Sequence, residues 1–120
     1  CGMLSCTYVY LISRDPAHAG VPASHTAIQS FFDNNSPDLQ GDLYYNKPAT
    51  LLAYQIGGDV WNNWIGILKP HLHATQNADG SWFFANDDSP NSNADGGKIY
   101  CTAMAVLCLE PGYAGLKLLD

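Results

Sequence analysis

One grouping of oxygen ligands in this 120-residue chain, Asn91-x-Asn93-x-Asp95-Gly96, has the alternating side-chain oxygens and turn glycine that open a calcium loop. The pattern fails at its far end. Its twelfth position is Thr102 instead of a bidentate Glu, and it falls in a stretch with a helical pattern. Asn91, Asn93 and Asp95 therefore read as a solvated, turn-rich loop, and neither a metal nor another cofactor is expected. His71 and His73 lie two apart, so on a helix they point to different sides, and Pro70 disturbs the register between them; no shared metal site follows. His18 and His25 flank a Gly/Pro turn without an obvious partner. Gly-x-Ser-x-Gly, the P-loop and His-Glu-x-x-His do not occur. Cys1, Cys6, Cys101 and Cys108 contain no Cys-x-x-Cys pair. Their even number permits disulfides, but cysteines inside apolar helical runs are more often small buried hydrophobes.

Two further groupings depend on where the chain puts them. Tyr8, Tyr10, Tyr44, Tyr45, Tyr54 and Tyr100 all come from apolar segments. They either line a lumen for an apolar or cationic ligand or serve as core aromatics whose hydroxyls reach a partner. Residues 76 to 82, QNADGSW, fix a glutamine, a glycine and a tryptophan between two helical patterns. In a sharp helix-to-helix turn, Gln76 has the groups to bond orphan backbone, Gly80 permits a left-handed residue after Asp79, and Trp82 can pack over the junction.

The elements that must position these residues are helical throughout. MLSCTYVYLISR, closed by Asp15-Pro16, reads as a buried helix, and GVPASHTAIQSFFDNN as an amphipathic one with Ser24 as its cap. DLYYNKPATLLAYQIGGD is a third, with Pro48 expected in its first turn and Gly57-Gly58 ending it. DVWNNWIGILKPHLHATQ is a fourth, with a stripe of Trp61, Trp64, Ile65, Leu68 and Leu72, which Pro70 should kink or interrupt. KIYCTAMAVLCLE is a fifth, apolar on nearly every face and stopped by Pro111-Gly112, and the tail YAGLKLLD suggests a short sixth. Nearly all-apolar helices thus alternate with amphipathic ones at a period of roughly 45 residues, the mark of stacked helical hairpins in an inner and an outer layer.

Composition sets the outer bounds. With 47% hydrophobic and 13% charged residues the chain has the makeup of one globular domain. Five scattered bases against eleven acids, net charge −6, give no footprint for nucleic acid or an anionic membrane. The longest apolar runs are too short to span a bilayer.

Gln76-x-x-x-Gly80-x-Trp82, with the helices on either side of it, resembles the glutamine-tryptophan repeat motif of squalene and oxidosqualene cyclases and related prenyltransferase-like α/α toroids. Residues 42 to 110 are similar to the C-terminal end of bacterial prenyltransferase/squalene-oxidase-repeat proteins. The resemblance implies an all-α fold, a partial α/α toroid of about five to six alternating inner and outer helices. It implies one domain over residues 1–120, forming the C-terminal part of a longer chain. It also places Asp42, Tyr44, Tyr45, Tyr100 and Cys101 toward the lumen.

Two chemistries come with the family. Cyclases protonate their polyene with an Asp-x-Asp-Asp acid, whereas here Asp87-Asp88 is followed by Ser-Pro. Protein prenyltransferases hold zinc with an Asp, a Cys and a His; the matching stretches here, Asp42-Leu43-Tyr44 and Tyr100-Cys101-Thr102, supply two ligands, short of a site. The expectation is therefore a non-catalytic binding or assembly module, the alternative being an isoprenoid cyclase or prenyl-transfer enzyme whose acid or metal ligands lie outside this stretch. Its partner would be a protein, or more of its own chain, covering the inner helices, with an apolar small molecule as a further candidate.

Overall fold

A computed structural model describes residues 20–84 and 93–114. They form four helices, α1 (Gly20–Asn34), α2 (Leu43–Ile56), α3 (Gly58–Thr75) and α4 (Asn93–Leu109), followed by one turn, α5 (Pro111–Ala114). The fold is all-α, and among the described residues no helix is long and apolar enough to cross a membrane. The helix expected at residues 3–14, with Cys1, Cys6, Tyr8, Tyr10 and His18, lies outside the described residues.

α2 is the hub. It packs most extensively against α4, next against α3, and also meets α1 and α5. Small side chains permit the close approach: Ala49 and Ala53 on α2 and Cys101, Ala105 and Cys108 on α4 are all fully buried. α3 buries Val60, Trp64, Leu68 and Leu72, one residue in every four, so the stripe runs through Val60, while Trp61 and Ile65 flank it half-buried.

The helix ends follow local chemistry. Asp42 caps α2, its Oδ1 accepting the Tyr45 N–H at 2.8 Å. Gly57 and Gly58, at φ 74° and 55°, supply the left-handed turn into α3, as their sequence position suggested. Lys98 follows another positive-φ glycine, Gly97 at φ 63°, which breaks α4 near its start.

Three local expectations are corrected. Ser24 is not a cap, because α1 already begins at Gly20 and takes Pro22 into its first turn, where proline's fixed φ favours the helix. Pro48 lies in the second turn of α2, not the first; Tyr44, whose carbonyl loses its usual partner, is exposed, so water can take that place. α3 runs uninterrupted through Pro70, since Gly66, the residue four before it, is likewise on the exposed side.

Gly41 marks the tightest approach. Its φ is +113°, and a Cβ there would lie 2.7 Å from Phe84 Cβ. Gly66 is the opposite case, a helical glycine with nothing within 4 Å of such an atom. Gly41→Ala is expected to cost at least ~2 kcal/mol through strain and overlap. Gly66→Ala should add about 0.5–1 kcal/mol from helix propensity. Urea denaturation of both variants checks the pair, and equal effects would refute this packing.

Candidate functional site

The junction between α3 and α4 is built from the glutamine, glycine and tryptophan that the sequence singled out. Trp82 is 4% exposed, and its indole N–H donates to the Leu72 carbonyl at 2.7 Å. Leu72 lies in the last turn of α3, where carbonyls lack their usual backbone partners, and it otherwise accepts only a long 3.4 Å bond from the Thr75 hydroxyl, so the indole gives it a short bond under an apolar cover. Gln76 is the C-cap, and its side-chain amide donates to the Gly80 carbonyl at 2.8 Å, fastening the turn to its own start. Gly80 sits at φ +83°. Asp79 completes the turn by accepting from the Ser81 N–H at 3.1 Å.

The same turn is tied to α4. The Thr102 hydroxyl oxygen accepts the Trp82 backbone N–H at 3.1 Å, and Lys98 pairs with Asp79. The Lys98 ammonium and then the Ser81 bonds hold the Asp79 carboxyl well below the usual carboxylate range. Thr102, the position that failed as a calcium ligand, thus has a positional role, which its location in an apolar helix beside a conformationally demanding turn did not reveal. Asn91 lies outside the described residues, as do the side chains of Asn93 and Asp95.

The tyrosines and the two zinc-type residues are distributed as structural parts. Asp42 is spent on the cap of α2. Tyr44 is 58% exposed, whereas its neighbour Tyr45 points inward, packs edge-on to Trp64 at 6.2 Å and donates its hydroxyl to the Ser36 carbonyl at 3.3 Å. Burial, then the charges of Asp38 and Asp42, push the Tyr45 pKa above its ordinary value. Tyr54 packs edge-on to Trp61, and Tyr100 borders the core. Cys101 is fully buried in that core. Among the described residues no three His, Cys, Asp or Glu side chains come together as a metal set. His71 stacks on Phe84 at 6.3 Å while His73 is exposed, so the two face different ways, as their spacing requires.

A buried polar column was not foreseen. The Trp64 indole donates to Thr50 Oγ1 at 2.8 Å, and the Thr50 hydroxyl donates to the Asn46 carbonyl at 2.7 Å. The Asn46 side chain then exchanges two 2.8 Å bonds with the backbone N–H and carbonyl of Asp38. Asp38 in turn accepts the N–H groups of Gln40, Gly41 and Asp42 at 3.0, 2.8 and 2.7 Å, shaping the approach to α2. Polar residues four apart in an apolar helix, Asn46 and Thr50, were the available signal.

Comparison of the chain with protein-family models, with curated proteins and with solved structures gives no match in any of the three.

Two measurements test this account. Trp82→Phe keeps a ring but leaves the Leu72 carbonyl only the long Thr75 bond and should cost about 1–3 kcal/mol; Trp82→Ala should cost about 3–5 kcal/mol. If Trp82→Phe proves neutral in chemical denaturation, the indole bond does not hold the junction. For the core thiols, burial pushes the Cys108 pKa up to about 12. A raised thiol pKa gives stability that is complete below the unfolded value and lost as pH climbs through the folded one, so the loss should begin near pH 9. Site-resolved alkylation at pH 8 should modify Cys101 and Cys108 at least ~100-fold more slowly in the folded protein than in denaturant.

Proposed function

We propose that this chain is a non-catalytic assembly and binding module of the squalene-cyclase/prenyltransferase-repeat kind, part of an α/α toroid whose inner helices are covered by a protein partner or by further repeats of its own chain. One observation carries the reading. α4 presents Ile99 at 87%, Val106 at 51% and Leu107 at 39% exposure, with Ala103 exposed between them, on one helical face. At about 25 cal/mol per Å², a few hundred Å² of apolar surface left in water forgoes several kcal/mol. That is comparable to the stability of a whole small domain. Such a face is characteristic of a surface that another element covers.

The side chains that prenyl-transfer chemistry would need are otherwise engaged, Asp42 as a helix cap and Cys101 inside the core. This favours assembly over catalysis for these residues. The alternation of apolar and amphipathic helices, the α2–α4 pairing and the turn geometry at Gln76, Gly80 and Trp82 are what support the toroid reading.

The expected behaviour is self-association or stoichiometric capture of a partner, together with apolar-dye binding by any uncovered protein, all reduced by Ile99→Asp and Val106→Asp without loss of helicity. Light scattering, dye fluorescence and circular dichroism measure these. A monodisperse monomer that binds no dye overturns the assembly reading, and turnover of squalene or a prenyl diphosphate overturns the non-catalytic one.

A further inference from the structure

A groove of about 500 Å³ lies between the C-terminal end of α1, the segment 35–37 and the N-terminal half of α3. Its size is that of a small-molecule site. Phe32, Val60, Trp64 and Ile67 supply apolar lining. Phe32 and Trp64 meet edge to face at 5.2 Å, so the lining is aromatic as well as apolar.

The polar groups around that lining are biased to one sign. Asp33 on α1 and Asp59 on α3 bring carboxylates from two separate helices. Asn34 and Asn35 also line the groove, but their amide nitrogens are turned back onto α1, donating to the Ser30 and Phe31 carbonyls at 2.8 Å each. What they have left to offer a ligand is chiefly their carbonyl oxygens. The end of α1 itself is the negative pole of a helix. Gln29, Ser36 and Asn63 can donate or accept, and among the described lining residues none carries a positive charge.

Asp59 has a structural reason to be where it is, since a carboxylate in the first turn of α3 complements the helix dipole. Asp33 has none. It sits in the last turn of α1, where negative charge opposes the dipole, and it makes the end of that helix less stable than a neutral residue would. A carboxylate kept at the unfavourable end of a helix, across an aromatic groove from a second one, is compensated when a cation occupies the space between.

We propose that this groove binds an organic monocation, a guanidinium or alkylammonium group carried on an apolar body. The carboxylates and the Asn34 and Asn35 carbonyl oxygens take the charged head, and Phe32 and Ile67, the accessible part of the lining, take the apolar body, Trp64 lying buried behind them. An inorganic ion is disfavoured by the same features, because two carboxylates on an apolar floor do not make a coordination shell. The proposal goes beyond the assembly reading and uses different helices, so either can fail alone.

The test is a titration followed by two-dimensional NMR and Trp fluorescence, using phenethylammonium against its neutral isostere phenethyl alcohol, and acetyl-Leu-Arg-Leu-amide against acetyl-Leu-Gln-Leu-amide. The cationic member of at least one pair is expected to bind at least about tenfold more tightly than its neutral counterpart, with shifts centred on Phe32, Trp64 and Ile67, and to weaken as salt is raised. Binding by the peptide alone identifies a protein side chain as the source, and binding by the amine alone a free small molecule. Asp33→Asn and Asp59→Asn should each weaken binding about threefold to tenfold. Asp33→Asn should not lower the melting temperature. Equal binding of charged and neutral members, indifference to both substitutions, or no binding by either cation overturns the proposal.

Discussion

Burying an indole N–H without an acceptor is costly, and in this fold the acceptor for Trp82 is a last-turn carbonyl that α3 itself reaches only with a long bond from the Thr75 hydroxyl. One bond therefore settles two problems. It ends α3 at a fixed point and holds the following backbone close enough to α4 for the Trp82 N–H to reach Thr102. The direction in which α4 leaves, and hence its packing along α2, depends on that closure. Gln76 and Gly80 serve it by shaping the turn that presents the ring.

Trp64 imposes the same requirement deeper in the molecule and meets it differently. Its N–H ends on Thr50, and the bonds continue through Asn46 to the backbone at Asp38, so α3, the hub helix α2 and the loop that leads into it share one chain of donors and acceptors. Polar groups that are fully satisfied in a low-dielectric interior specify one arrangement more sharply than apolar contact alone. Around this column the contacts between α2 and α4 are made by alanines and thiols, which explains why cysteines in this chain are packing residues rather than ligands in the described core.

Much of this was legible in the order of residues. The amphipathic stripe of α3, the glycine pair that ends α2 and the turn at residues 76–82 each follow from a local rule that tertiary contacts did not override. The prolines were misjudged for a definite reason. Pro48 and Pro70 are tolerated inside helices because the residue four earlier faces outward, and sequence alone does not say which side of a helix will be wet. Ser24 was outcompeted as a cap by an earlier start at Gly20. The bonds from Trp64 to Thr50 and from Asn46 to Asp38 join residues on different elements, as does the groove between α1 and α3, and no spacing rule within one element reaches them. Asp42 shows the converse: its chemistry was noticed, and the helix it begins claims that chemistry.

The clamps between the turn and α4 have a consequence for the intervening connection. Asp79–Lys98 and Trp82–Thr102 fasten the chain on both sides of residues 85–92, so the ends of that stretch are fixed by bonds made outside it. Loop closure grows only slowly with length, about 0.6 kcal/mol per doubling. Extra sequence placed between these two clamps, whether evolved or grafted, would therefore cost the scaffold little.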